Sequence, residues 1–287
     1  MNTLYDVAAP GKLNLFLHIT GRRADGYHLL QSAFALIDWC DTLHFELRSD
    51  DRISREDLTL GLPADDLIVR AAKALQVSTG TRQGVHIGVL KRIPTQAGMG
   101  GGSSDAASCL LALNRLWKLQ LTLPELARIG MSLGADVPFF LAGRNAWVEG
   151  VGEHIVPIDL AESFYLVAKP PQGLSTAAIF ADPALKRDTT TATIAGFAKD
   201  QLHFGHNDLQ PVAQRLCAGV TEGLAWLASQ GLQGRMTGSG SAVFAGSPIC
   251  FEASNAPPGF EQRWCQGLAT HPLLGWAAGQ DLPVRSN

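Results

Sequence analysis

The residues best suited to chemistry lie in one segment, PTQAGMGGGSSDAA, at positions 94–107. The segment opens with Pro94 and then clusters small and polar residues: Gly98, Gly100, Gly101, Gly102, Ser103, Ser104 and Asp105. An apolar periodic run follows and predicts a helix, so the glycines lead into a helix N-terminus. Glycines let backbone N–H groups approach a ligand, and the free N–H groups of a first helical turn attract anions. The pattern predicts a phosphate site and nucleotide chemistry, with a flexible loop and N-cap as the alternative.

Two familiar nucleotide-binding loops are excluded by the sequence. A P-loop needs Gly-Lys followed by Ser or Thr, whereas Gly11-Lys12 is followed by Leu13. The dinucleotide fingerprint GxGxxG needs a third glycine where Ser103 stands. The predicted phosphate loop is therefore of a third kind.

Lys12 and Asn14 stand in a segment that predicts a strand, so their side chains point to the same face. Read alone, such a lysine is usually a solvated edge charge. Asp136 lies in GADVPFFL, residues 134–141, where the plain interpretation is the turn that ends a helix. The segment TGSGSAVF, residues 237–244, predicts a hairpin turn whose small residues also allow close approach to a ligand.

The composition indicates a globular protein with a sizeable core, because 46% of the 287 residues are hydrophobic and 17% are charged. The net charge of −3 gives no electrostatic basis for broad nucleic-acid binding. Five scattered cysteines form no CxxC pair, which argues against a disulfide framework or a structural zinc site. Because no secretory signal or membrane-spanning run is visible, we expect a cytoplasmic protein.

Hydrophobic patterning predicts mixed strands and helices without regular βαβ alternation, which is typical of an α+β fold. The predicted strands span 4–20 with an interruption at Pro10-Gly11, then 33–47, 84–90, 145–158, 164–168 and two within 235–245. The predicted helices span 66–77, the run after the glycine loop, 124–133, 207–217 and 221–230. Residues 186–203 predict a surface stretch, and the last 40 residues give no clear element.

Taken together, the lysine strand, the glycine loop, GADVP and the late Gly-Ser segment resemble the GHMP kinase superfamily, in the same order. The likeness covers most of residues 5–245. The resemblance implies a two-domain α+β fold with its active site in a cleft between an N-terminal ATP-binding domain, residues 1–158, and a C-terminal domain, residues 159–287. The segments KLNLFLHITGRRADGYH and LGADVPFFL look like the branch that phosphorylates the 2-hydroxyl of a cytidine diphosphate ester of methylerythritol, in non-mevalonate isoprenoid biosynthesis.

The resemblance implies roles for individual residues. Asp136 would be the catalytic base, assisted by Lys12, and Asn14 would orient the substrate hydroxyl. Tyr27, His28 and Phe180 would bind the cytosine end through stacking and hydrogen bonds. The glycine loop with Ser103 and Ser104 would bind ATP together with Mg²⁺, although no all-protein metal cage is visible.

Lys91 and Asp66 are weaker candidates on the adenine side. Related enzymes often carry asparagine where this chain has Asp66, so a donor amide becomes an acceptor-only carboxylate. Two alternatives stay open: a kinase of the same superfamily acting on a small alcohol such as homoserine, and a silent binding module on the same fold. The sequence also leaves open whether the protein is a monomer or a homodimer.

Overall fold

The computed structural model describes residues 2–280 and confirms the predicted α+β class. The strands are β1 Thr3–Arg22, β2 His28–Arg48, β3 Ile53–Asp57, β4 Gly84–Leu90, β5 Ala146–Gly150, β6 His154–Pro157, β7 Phe164–Lys169, β8 Arg235–Met236, β9 Val243–Ser247 and β10 Glu261–Leu268. The helices are α1 Leu67–Thr79, α2 Gly101–Leu116, α3 Leu123–Leu133, α4 Val137–Ala142, α5 Thr176–Ala181, α6 Ile194–Phe197, α7 Gln210–Leu216 and α8 Ala218–Ser229.

The strands form one extended sheet in the order β3-β4-β2-β10-β7-β9-β8, with β1 and β5 also paired to β2. Strand β10 joins the two parts of this sheet. It pairs with β7 from Glu261 to Gln266 and with β2 only through Gly267 and Leu268. The predicted domain boundary falls between β6 and β7, and the division into two domains stays a prediction.

The long hairpin of β1 and β2 carries the predicted lysine strand. Its turn lies at Asp25-Gly26, with Gly26 at a φ of 92°. The predicted interruption at Pro10-Gly11 is wrong as a break, because β1 continues and only its pairing register with β2 shifts there. A register shift of this kind bends a strand without ending it.

Helix α2 lies at the centre of the first hydrophobic core. Every side chain from Ser104 to Asn114 is buried, and the helix packs between α1, α3, α4 and the strands β1 and β2. A helix buried on all sides cannot shift without opening the core. Its N-terminus, where the glycine loop ends, is therefore fixed in space.

Residues 186–203 lie mostly at the surface, as predicted, but a second apolar cluster anchors them at one point. Phe197 of α6 is buried, and its ring centroid lies 5.9 Å from Phe16 of β1 and 6.0 Å from Trp147 of β5. The prediction did not include this anchor, because Phe197 stands alone among threonine and alanine residues without an apolar period around it. Helices α7 and α8 confirm the two helices predicted nearby, although α8 begins earlier, directly after Cys217.

The C-terminal residues that the sequence left unplaced complete the fold. After β10, the chain returns to the first half, where the His271 amide donates to the Gly143 carbonyl at 2.9 Å and the Leu123 amide donates to that of Ala278 at 2.9 Å. Residues 281–287, part of that unplaced tail, lie outside the described residues. Within residues 2–280, no helix is long and apolar enough to cross a bilayer.

We predict that His271 makes the fold sensitive to acid. The ring is 2% exposed, its Nδ1 accepts from the Leu273 amide at 3.0 Å, and burial lowers its pKa from 6.5 to about 4. The unfolded chain therefore binds a proton that the folded chain excludes, so the free energy of unfolding falls as pH drops from 6.5 to about 4. The slope contributed is up to about 1.4 kcal/mol per pH unit.

Urea denaturation followed by circular dichroism between pH 7 and pH 4.5 measures this effect. His271→Asn keeps an acceptor for the Leu273 amide and cannot titrate, so its stability should depend less on pH than that of the wild type. The matched control is His154→Asn, since His154 is 71% exposed. Parallel stability curves for wild type and His271→Asn would contradict the prediction.

Candidate active site

The four motifs singled out in the sequence converge on one cavity of about 1310 Å³. Both halves of the chain line it, as expected for a cleft between them. All predicted site residues but one contribute to the lining: Lys12, Asn14, Tyr27, His28, Asp66, Lys91, Pro94, Gly98, Gly100, Gly101, Gly102, Ser103, Asp136 and Phe180. The exception is Ser104, which is fully buried and does not reach the cavity.

The glycine loop ends as an open helix N-terminus. Gly98 and Gly100 have φ values of 74° and 71°, in the left-handed region that favours glycine. Gly100 is the N-cap of α2 and has no side chain to accept from the first turn. The amides of Gly101, Gly102 and Ser103 thus remain available to an anionic ligand in the cavity.

Backbone hydrogen bonds hold the loop between two other motifs. The Lys12 amide donates to the Met99 carbonyl at 3.0 Å, and the Ser241 and Ala242 amides donate to the carbonyls of Gln96 and Ala97 at 3.1 and 3.2 Å. The late Gly-Ser segment, which forms the turn between β8 and β9, therefore also packs directly against the glycine loop.

Thr237 connects the glycine loop, the lysine strand and the late Gly-Ser segment, and the sequence analysis did not identify it. Its fully buried hydroxyl accepts from the Asn14 amide at 2.9 Å and donates to the Gly98 carbonyl at 3.3 Å. The only signal in the sequence was its position at the start of TGSG, where threonine is also a common turn residue.

We predict that Gly98→Ala damages nucleotide binding. A Cβ at Gly98 would lie 2.2 Å from the Thr237 carbonyl oxygen, and this neighbour is backbone that cannot rotate away. The loop must shift, and we expect the KM for ATP to rise at least about tenfold, the equivalent of about 1.4 kcal/mol.

Gly80→Ala is the matched control for this substitution. Gly80 has a similar φ of 69° but no atom within 4 Å of the added Cβ, so it carries the backbone strain without the clash. Steady-state kinetics should show a normal KM for ATP in Gly80→Ala. An equal effect of both substitutions would place the cause in global stability instead of loop position.

Lys12 and Asn14 share one face of β1, as predicted. The Lys12 Nζ lies 2.5 Å from Asn14 Oδ1 and 4.3 Å from the centroid of the Phe34 ring. The Asn14 Nδ2 donates to Ser32 Oγ at 3.0 Å, so both ends of the amide are engaged by the protein. The arrangement makes Asn14 a support for the lysine ammonium.

The pairing of Lys12 with Asp136 brings together two residues far apart in the sequence. The Lys12 Nζ lies 3.5 Å from Asp136 Oδ2, and the lysine side chain is 4% exposed whereas the aspartate is 32% exposed. Burial lowers the pKa of Lys12, and the carboxylate of Asp136 opposes that shift. A buried cation thus borders the cavity beside a carboxylate that remains accessible.

The backbone around Asp136 leaves its carboxylate free to face Lys12 and the cavity. Gly134 ends α3, and Asp136 is the N-cap residue of α4 without a capping hydrogen bond from its side chain. The plain interpretation of a helix-ending turn is correct for the backbone. The side chain, however, points to Lys12 and the cavity.

The ammonium group of Lys91, a predicted nucleotide-binding residue, is already paired with carboxylates of the protein. Its ammonium donates to Asp105 Oδ2 at 2.6 Å and also contacts Asp41 Oδ2, and burial is outweighed by these carboxylates so that its pKa is raised. Asp41, missed in the sequence, also accepts from the Ile93 amide at 2.8 Å. The cluster anchors the strand end that leads into the glycine loop.

Asp66 also has partners within the protein. Its Oδ1 caps α1 by accepting from the Val69 amide at 3.1 Å, and it lies 2.6 Å from Nη1 of the buried Arg55. Arg55 was not singled out, because nothing in its local sequence marks it. Asp66 still lines the cavity, so a nucleotide contact through its remaining oxygen stays a prediction.

Oxygen atoms next to the helix start suit a hard cation such as Mg²⁺. Ser103 and Asp105 line the cavity there, and Asp105 Oδ1 is buried without a hydrogen-bond partner among the described residues. Burial raises the pKa of Asp105 and the Lys91 ammonium opposes this shift. Over residues 2–280, no group of three or more His, Cys, Asp or Glu side chains is placed to hold a metal by itself.

The other end of the cavity is aromatic. Tyr27, on the hairpin turn, is 65% exposed, while the rings of His28 and Phe180 lie 5.1 Å apart with an interplanar angle of 39°. Phe180 belongs to α5 in the second half of the chain, so this end forms only when both halves are in place. Flat side chains on both walls suit an aromatic base.

Comparison with known proteins identifies the relatives of this chain. The family model "GHMP kinases N terminal domain" matches residues 66–144. The chain is 64% identical to a 4-diphosphocytidyl-2-C-methyl-D-erythritol kinase of Albidiferax ferrireducens, with 100% of both chains covered. It is 62% identical to the enzyme of that name from Variovorax paradoxus, covering 96% of this chain and 100% of the relative.

Solved structures agree with these sequence relatives. A crystal structure of 4-(cytidine 5'-diphospho)-2C-methyl-D-erythritol kinase is similar with a TM-score of 0.74 at 30% identity, over 92% of this chain and 99% of that one. A homoserine kinase of Cytophaga hutchinsonii gives a TM-score of 0.69 at 15% identity, over 94% and 96% of the two chains. The second likeness shows a shared fold alone.

Proposed function

The chain belongs to the 4-diphosphocytidyl-2-C-methyl-D-erythritol kinase family of the GHMP kinases, and we propose that it transfers the γ-phosphoryl group of ATP to the 2-hydroxyl of that cytidine compound. One observation carries the proposal. The Lys12–Asp136 pair lies in the same cavity as the glycine loop and the aromatic end formed by Tyr27, His28 and Phe180. The phosphorylated cytidine compound would serve isoprenoid precursor synthesis by the non-mevalonate route.

The geometry of the glycine loop supports its proposed role as the site that binds the phosphates of the nucleotide. The first amides of α2 point to the cavity without a side-chain cap, and the Ser103 hydroxyl adds a further polar group. Phosphoryl transfer depends on positioning and on neutralising charge more than on covalent chemistry. A helix N-terminus fixed by the core supplies both.

Mg²⁺ would be held mainly by the phosphate oxygens of ATP, with Ser103 and Asp105 as the protein groups nearest the helix start. When bound, the ion neutralises charge on the β- and γ-phosphates. Asp105 is already bonded to Lys91 through Oδ2, so only Oδ1 is available for this contact.

We assign Asp136 as the base that accepts the proton of the attacking hydroxyl, and Lys12 as the cation that stabilises the developing negative charge. A base must be accessible to substrate, and Asp136 is the more exposed member of the pair. The Lys12 ammonium donates to Asn14 Oδ1 at 2.5 Å, and this contact preorganises it for the transition state. Asn14 is a positioning residue for Lys12 in this arrangement.

We predict that Asp136→Asn lowers kcat by about 10²- to 10⁴-fold, the usual contribution of general base catalysis. ATP binding should be retained because the glycine loop is separate from this side chain. Lys12→Met should have a similar effect on kcat. Single-turnover kinetics and ATP titration by calorimetry measure the two properties separately.

The matched control is Asp159→Asn, which makes the same chemical change at an exposed residue outside the cavity lining. It should leave kcat and ATP affinity unchanged. Near-full activity of Asp136→Asn would refute the assignment of the base, while the kinase activity itself would stand.

The substrate is tested by a coupled assay of ADP release with Mg-ATP. We expect turnover with 4-diphosphocytidyl-2-C-methyl-D-erythritol and none with homoserine, mevalonate or galactose. The reason is that only the cytidine compound fills both the aromatic end and the Lys12–Asp136 centre. Turnover with another alcohol would keep the mechanism and reject the cytosine site, and ATP binding without any turnover would favour the silent binding module.

A further inference from the structure

Arg187 lies behind the aromatic end of the cavity and contacts two of the residues that form it. Its Nε donates to His28 Nε2 at 3.0 Å. Its Nη2 donates to the carbonyl oxygens of Asp182 at 2.8 Å and Phe180 at 3.4 Å, and its Nη1 donates to that of Leu185 at 2.9 Å. In the described part of the chain Arg187 forms no ion pair, so its contacts serve this wall alone.

The bond to His28 has a chemical consequence. A guanidinium only donates hydrogen bonds, so the His28 Nε2 that faces it must be an unprotonated acceptor. In a neutral imidazole the proton then resides on Nδ1. Burial lowers the pKa of His28, and the positive charges of Arg187 and Arg22 lower it further, so the ring stays neutral at physiological pH.

We propose that Arg187 is a positioning residue that fixes His28 as its Nδ1–H tautomer, so that this end of the cavity selects a base whose N3 accepts a hydrogen bond. The proposal rests on the proposed function. Cytosine has an unprotonated N3, whereas uracil carries a hydrogen on N3, and the carbonyl oxygen at C2 is common to both bases. A fixed N–H donor therefore favours a cytidine over a uridine diphosphate ester.

The same guanidinium also fixes the stacking partner. By binding the carbonyl of Phe180, it ties the end of α5 to His28, which lies at the start of β2. One side chain from the second half of the chain thus sets the donor direction and the ring spacing together. Arg187→Met would free both.

Arg215 provides a matched control for loosening of the wall. Its Nη2 donates to Asp182 Oδ2 at 2.7 Å, so it holds the same turn as Arg187. It neither contacts His28 nor lines the cavity. Arg215→Met therefore removes a cation and a bond to the turn without changing the tautomer of His28.

The tautomer is measured first, by ¹⁵N nuclear magnetic resonance of the full chain with labelled histidine. His28 is assigned by the resonances lost in His28→Asn. In wild type we expect an unprotonated Nε2 signal and a protonated Nδ1 signal. In Arg187→Met both should move toward the averaged position of exchanging tautomers, and in Arg215→Met they should stay. A protonated Nε2 in wild type would overturn the proposal.

Kinetics with cytidine and uridine forms of the substrate test the consequence. Arg187→Met should raise the KM for the cytidine form about tenfold, as expected for one lost hydrogen bond, and reduce the preference over the uridine form. The KM for ATP should not change, and Arg187→Lys should restore part of the loss because lysine still donates to Nε2.

The proposal fails if Arg215→Met raises the KM for the cytidine form as much as Arg187→Met does, since the effect would then be structural. It also fails if the preference for cytidine is the same in both variants and the wild type. If the wild type does not turn over the cytidine form at all, the proposed function fails. The resonance experiment still decides the Arg187–His28 pairing in that case.

Discussion

The close backbone packing of the glycine loop against the Gly-Ser segment is the constraint on which the site depends. Where Gly98 passes the Thr237 carbonyl there is no room for a Cβ, and the Thr237 hydroxyl joins the loop to the β1 strand. Three segments that are far apart in the sequence are thereby held in contact with one another. The glycine loop, the lysine strand and the late turn therefore depend on one another for their positions.

The side chains of Lys12 and Lys91 are both little exposed, but their carboxylate partners differ in exposure. Lys91 is enclosed with Asp41 and Asp105, both of which are themselves buried, so its charge is neutralised by partners within the protein. Lys12 has its carboxylate partner at the cavity surface. Burial of a charge is costly without a partner, and of these three carboxylates only that of Asp136 is substantially exposed.

The two ends of the cavity depend on different parts of the chain. The phosphate end begins a helix buried in the first core, whereas the aromatic end combines the β1–β2 turn with α5 from the second half. Strand β10 and the segment after it bind the halves to each other. Residues far from the cavity thus set the distance between the glycine loop and the aromatic end.

The sequence by itself determined the α+β class, most element positions and the motifs that carry Lys12, Asp136 and the glycine loop, because these follow from local spacing and patterning. Only the tertiary structure decided the surroundings of the site: it buried Ser104 away from the cavity, paired Lys91 with Asp105, and placed Thr237 and Arg187 behind the residues that line the cavity. It also placed β10 between the halves. These outcomes depend on contacts between residues far apart in the chain, which local patterns do not record.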